Sequence, residues 1–214
     1  MFRKKNNIKK YVDYLVKGIY AGILIGIGGV AFLSLKNPIA GSFFFSIGLL
    51  TICMYGMNLY TGKIGYILIN KFEYVYELLL SLIGNFIGTF FVGKVMLLTR
   101  FSSISKRALE MSNMKLNDNL LSIFVLSMFC GMLMYIAVNN YKKVTNEIGK
   151  YVGIFMCVMV FILCGFEHCV ANMFYFSIAS AYTWKTLLYL LIMILGNSVG
   201  SIIIAYFYNL YYKN

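Results

Sequence analysis

His168 is the single histidine of the chain, in the run Cys164-Gly165-Phe166-Glu167-His168-Cys169 within a long apolar stretch. Ionisable groups in such surroundings cost a few kcal/mol, so each is a functional candidate. A neutral imidazole offers one donor and one acceptor, with an ordinary pKa of about 6.5. Desolvation disfavours its charged form, and an arriving anion favours it. Such a residue can hydrogen-bond to a weak-acid anion or hand it a proton. It can equally be a structural histidine that bonds a carbonyl where a helix breaks. Glu167 is adjacent, but neighbours on a helix point about 100° apart, so the two need not touch. Its expected task is to accept backbone N–H bonds of an interrupted helix. Cys164 and His168 have the i, i+4 spacing of a metal pair, yet a metal site needs three or four convergent ligands and no second pair exists. No metal or other cofactor is expected. Thr61 stands in a second polar interruption, Tyr55-Gly56-Met57-Asn58-Leu59-Tyr60-Thr61-Gly62-Lys63, where its hydroxyl can donate to an anion or to His168. Gly56 and Gly62 let that loop adopt left-handed conformations. Lys63 reads as a snorkelling lysine, with a pore charge as the alternative.

The elements that hold these residues are membrane segments. The 214 residues are 61% hydrophobic and 12% charged, where a soluble domain carries about 25% charged residues. One soluble core cannot absorb that excess, so lipid is the solvent for much of the surface. Apolar segments run from 18 to 35, 40 to 70, 77 to 98, 119 to 138, 151 to 181 and 186 to 208. A crossing helix takes about 20 residues. The second and fifth segments are longer and hold the two polar interruptions, so both read as helices that break inside the membrane and resume. Five cysteines lie in apolar runs and read as free thiols. The net charge of +12 is concentrated in a basic leader, residues 1–17, and in short loops, which is topology information and excludes a nucleic-acid partner. The leader and the apolar stretch after it read as a retained helix rather than a cleaved signal, because the stretch ends without an A-x-A-like site.

Six crossings place both termini on one side. Taking that side as cytoplasmic puts eleven basic residues inside and six outside, which favours both ends inside a cell membrane. Gly84-Asn85-Phe86-Ile87-Gly88-Thr89 and Gly196-Asn197-Ser198-Val199-Gly200-Ser201 match as G-N-x-aliphatic-G-(S/T), 112 residues apart. Each follows an interrupted segment. Residues 18–98 and 119–208 therefore read as two copies of a three-segment unit, the second inverted, as in many transport proteins. The expected fold is an all-α membrane protein: six transmembrane helices, an inverted repeat, and broken helices two and five, forming one domain over residues 18–212.

The run Gly165-Phe166-Glu167-His168-Cys169-Val170-Ala171-Asn172-Met173-Phe174 closely resembles the G-F-E-H-(S/C)-x-A-N-M signature of the formate/nitrite transporter family. Phe45-Ser46-Ile47-Gly48-Leu49 leading to Asn58-Leu59-Tyr60-Thr61-Gly62, Gly84-Asn85 and Gly196-Asn197 resemble further family motifs in the same order. The resemblance implies an aquaporin-like protomer in a homopentamer, with a pore through each protomer for formate, nitrite, hydrosulfide or related monocarboxylates. It implies His168 as the central histidine, Thr61 as the loop threonine and Lys115 as the lysine that draws anions into the outer vestibule. Glu167, Asn172 and Asn197 join them as pore residues, with Leu59, Phe45 and Phe174 as constriction candidates.

Some positions depart from the family pattern. Gly131 stands where many members carry an asparagine, which implies a thinner outer polar network or a water in its place. The connection near 181–185 is short. Three functions follow from these readings. The first is a channel or proton-coupled carrier for a small monovalent weak-acid anion, formate before nitrite or hydrosulfide. The second is a neutral-solute or water pore on the same fold, although the chain lacks the two N-P-A motifs of aquaporins. The third, an intramembrane enzyme, lacks a nucleophile–base pair or a metal shell; the chain reads as no enzyme.

Overall fold

A computed structural model describes residues 2–212, with side chains from Ile8 to Tyr211. The described residues form nine α-helices and two 3-10 segments, without strands. The helices are α1 (Phe2–Ser34), α2 (Pro38–Met54), α3 (Tyr60–Lys63), α4 (Tyr74–Met96), α5 (Ser105–Leu116), α6 (Leu120–Lys143), α7 (Glu147–Leu163), α8 (Cys169–Ile178) and α9 (Trp184–Tyr212). Four of them, α1, α4, α6 and α9, are long and apolar enough to cross a bilayer. Their outer faces keep large apolar side chains exposed, such as Ile83 and Ile87 on α4 and Leu191 and Leu195 on α9. That surface suits hydrocarbon rather than water.

α1 continues through the basic leader without interruption, so the boundary expected at residue 17 falls inside a helix. The leader side chains up to Asn7, and Lys213, lie outside the described residues. The stretch expected as an outer loop between the third and fourth segments holds α5 instead. α5 is anchored by Arg107, whose guanidinium donates to the carbonyls of Phe32, Leu33 and Leu35 at 3.0, 3.1 and 2.5 Å and covers the Phe32 ring at 4.9 Å. One cation thus satisfies the orphan carbonyls at the end of α1.

The repeated G-N-x-aliphatic-G motif has a packing cause. A Cβ on Gly84 would sit 2.6 Å from the carbonyl oxygen of Leu15, and one on Gly196 the same distance from that of Phe124. Gly88 is likewise blocked by Ile19 and Gly200 by Met128, each by a backbone oxygen. α4 therefore crosses α1, and α9 crosses α6, with backbones in contact, which only glycine permits. Gly22 and Gly131 face the carbonyls of Asn85 and Asn197 from the opposite helices. Gly131 is thus required by the crossing, and Ser201 Oγ donates to its carbonyl at 2.8 Å.

α8 lies at the centre. All ten of its residues are buried, as expected of a short helix that is apolar on every side.

Candidate functional site

Two interrupted stretches build the site. α2 ends at Met54, and Gly56 turns the chain with φ of +65°. Residues 57–59 run on to α3. α7 ends at Leu163, Gly165 turns with φ of +68°, and α8 begins after His168. These left-handed turns favour glycine because a Cβ would strain them.

Each turn is pinned by the asparagine of a G-N motif. Asn85 Oδ1 accepts from the Tyr60 N–H at 2.9 Å, and its Nδ2 donates to the carbonyls of Gly18 and Asn58, both at 2.8 Å. Asn197 repeats this bond for bond. Its Oδ1 accepts from the Cys169 N–H at 2.9 Å, and its Nδ2 donates to the carbonyls of Ser127 and Glu167 at 2.7 and 2.8 Å. Both side chains are fully buried. Asn197, expected among the pore residues, holds the second turn through these three bonds. An amide is the side chain that can receive one N–H and give two N–H bonds from a single position.

The pinned turns bring the two chemical residues together. Thr61 Oγ1 and His168 Nε2 are 2.8 Å apart, and both residues are buried. His168 Nδ1 accepts from the Ala171 N–H at 3.0 Å and so caps α8. An accepting Nδ1 leaves the proton of a neutral imidazole on Nε2, directed at Thr61. The threonine hydroxyl proton is then free for another acceptor. His168 thus caps the helix break by accepting a backbone N–H, where a bond to a carbonyl was expected, and its other nitrogen contacts Thr61.

An aromatic wall supports the imidazole. Phe161 stacks on it with centroids 5.5 Å apart, and Phe45 meets Phe161 edge-on at 5.9 Å. Phe161 is not legible in the sequence, being one phenylalanine in a uniformly apolar helix. Among the constriction candidates, Phe45 belongs to this wall. Leu59 lines a cavity of about 400 Å³ that also touches Gly62, Lys63 and Lys142. Phe174 packs on Gly29 of α1 and on Tyr175.

An ion pair lies on the second turn. Lys115, in the last turn of α5, contacts the Glu167 carboxylate at 2.7 and 2.9 Å. Asn172 Nδ2 donates to the same carboxylate at 2.7 Å and to the His168 carbonyl at 3.1 Å. Glu167 therefore does not accept backbone N–H bonds as expected. A carboxylate facing a lysine and an amide makes stronger, charge-assisted contacts there. Asn172 Oδ1 is buried and has no protein partner. Lys63, expected to snorkel, is paired with Glu77. Cys164 is exposed while His168 is buried, and among the described residues no three His, Cys, Asp or Glu side chains gather as a metal site would require.

A bundle of apolar helices around two pinned turns, with a buried imidazole–hydroxyl contact where they meet, defines a multi-pass membrane transport protein. The family profile described as formate/nitrite transporter matches residues 2–211. The chain belongs to that family. It is 26% identical to an uncharacterized transporter, YrhG, of Bacillus subtilis, over 81% of this chain and 66% of the relative, just under two thirds of its length. It is 23% identical to a formate-nitrite transporter of Plasmodium falciparum, over 95% of this chain and 78% of the relative. Among solved structures it is similar to a pentameric formate channel with formate bound, with a TM-score of 0.83, 25% identity, and coverage of 96% of this chain and 99% of the other.

Proposed function

We propose that each protomer passes a small monovalent weak-acid anion, formate before nitrite or hydrosulfide, across a cell membrane by way of Thr61 and His168. The observation that carries this reading is the 2.8 Å contact between Thr61 Oγ1 and His168 Nε2, which joins the two interrupted stretches at one buried point. Lys115 with Glu167 lies on the α5 side of this point, and the 400 Å³ cavity lies on the Leu59 side. In this reading α2 with α3 makes one crossing and α7 with α8 another, giving six. The halves are inverted, and both termini are cytoplasmic. The pentameric assembly of the similar formate channel supports a homopentamer in the lipid bilayer.

The mechanism follows from the bonding. An anion entering from the α5 side meets the Lys115 charge, which Glu167 partly neutralises. Asn172 Oδ1, still without a partner, accepts a bond from a water that travels with it or from the O–H of the protonated acid. At the dyad a bare anion loses its hydration, a cost that the threonine hydroxyl and the Nε2–H offset by donating to it. Full proton transfer is more demanding. The imidazole must first take a proton on Nδ1 from water, which breaks the cap to Ala171 at a loss of about 1 kcal/mol, and the imidazolium so formed then gives its Nε2 proton to the anion and remains as the Nδ1–H tautomer. Hydrogen-bond donation is therefore the resting role, and proton transfer is a step with its own local cost.

Uptake into proteoliposomes of formate, nitrite, hydrosulfide, acetate and chloride across pH 5 to 8 tests this reading, with His168→Ala beside wild type. Weak-acid flux that rises as pH falls and collapses in the variant is expected. Strong chloride or glycerol flux that ignores the variant would refute the dyad and favour a neutral-solute pore.

A further inference from the structure

Two cations line the cavity beside Leu59, and their charges are not equally available. Lys63 is paired with Glu77, and its carbonyl accepts the Tyr74 hydroxyl at 3.0 Å. Lys142, in the last turn of α6, places its ammonium 4.1 Å from the centroid of the Tyr66 ring. Among the described residues no carboxylate lies within ion-pair distance of Lys142. Tyr66 is itself braced, by its hydroxyl donating to Asn139 Oδ1 at 3.3 Å and by its ring against Tyr135 at 5.3 Å. An aromatic face steadies an ammonium without cancelling its charge. The wall of about 400 Å³ is otherwise largely apolar, with Ile52, Met57, Leu59 and Val138.

The geometry points to this cavity as an anion-docking site in which Lys142 supplies the charge and Glu77 sets the field by neutralising Lys63. Its ligand is a small monovalent anion carrying some of its water. The volume exceeds that of one bare triatomic anion, and the apolar wall cannot compensate the dehydration of a multivalent one. Gly62 and Leu59, which line the cavity, flank Tyr60-Thr61, so a docked anion waits one step from the dyad. Glu77 keeps the cavity from holding two uncompensated cations, which would bind an anion too tightly for release. The inference rests on the anion-transport reading and adds to it the residues that govern loading from one face.

The test is the formate concentration dependence of flux, measured separately from each face in oriented proteoliposomes. Wild type, Lys142→Gln, Lys142→Arg and Glu77→Gln are compared, each first checked for monodispersity in detergent. Lys142→Gln is expected to raise the half-saturating concentration at the face that bears the α6 C-terminus by roughly three- to tenfold, the effect of one nearby charge in a partly screened site. The value at the other face should stay within about twofold. Lys142→Arg restores the wild-type value, and Glu77→Gln, which frees Lys63, lowers it. An unchanged value at that face in both Lys142→Gln and Glu77→Gln overturns the docking site while leaving the transport reading intact. Equal changes at both faces overturn it as well. Wild type that passes no anion overturns both readings.

Discussion

Replacing Asn197 by alanine removes three buried hydrogen bonds in one step, those to Cys169, Ser127 and Glu167. The Ser127 carbonyl lies within α6 and retains its intrahelical partner, so its loss is small. The Cys169 N–H and the Glu167 carbonyl are left buried and unsatisfied, each at about 1–3 kcal/mol. With the vacated volume added, the expected destabilisation is about 4 kcal/mol. At about 2–4 °C per kcal/mol for a chain of this length, the midpoint should fall by roughly 8–16 °C. The buried thiols of Cys130 and Cys169 provide the assay, a thiol-reactive fluorophore followed during heating in detergent. Asn85→Ala removes the matching bonds to Tyr60, Gly18 and Asn58 and should cost the same within about 1 kcal/mol. The two differ in one respect. Cys169 is buried at the second turn, so Asn197→Ala should open it to the fluorophore below the midpoint and Asn85→Ala should not. A midpoint shift under about 2 °C, or equal Cys169 labelling in both variants, would refute the pinning argument.

Thr61→Val keeps the shape and removes the hydroxyl, leaving the Nε2–H of His168 without its acceptor; weak-acid flux should fall by about tenfold or more while the protein stays monodisperse, and unchanged flux in the vesicle assay would count against the dyad. Gly131→Ala drives a Cβ into the Asn197 carbonyl, so a loss of about 1–3 kcal/mol is expected in the same thermal assay. Lys115→Met strands Glu167, whose side chain is only 5% exposed, and should cost about 3 kcal/mol or more. Adding Glu167→Gln should recover much of that loss, and a double variant less stable than the single one would contradict the pairing.

Legibility in the sequence differs residue by residue. Gly56 and Gly165 stand out as interruptions because each is followed two residues later by a polar side chain, Asn58 and Glu167, in an otherwise apolar run. The G-N repeat is visible as a pattern, but its job is not. A glycine forced by a backbone crossing and one that merely fills an apolar run look alike until the opposing carbonyl is placed. The Lys115–Glu167 pair joins residues on separate elements, and no local spacing encodes it. The twelve residues of α5 are polar on average, so they fall outside the apolar runs that mark the other helices; packing and the Arg107 anchor give the helix its place. Phe161 is silent for the opposite reason, as an apolar residue among apolar neighbours.

The amino-acid sequence by itself determined that this is a membrane protein, and it marked two interruptions in the apolar runs, with Thr61 in one and His168 in the other. These follow from hydropathy and side-chain type, which are local properties. Tertiary structure alone decided that the two interruptions meet, that Asn85 and Asn197 hold them, and that Lys63 is paired with a carboxylate while Lys142, among the described residues, is not. Those outcomes depend on distances between residues far apart in the chain, and a few ångströms separate an unpaired charge from a paired one.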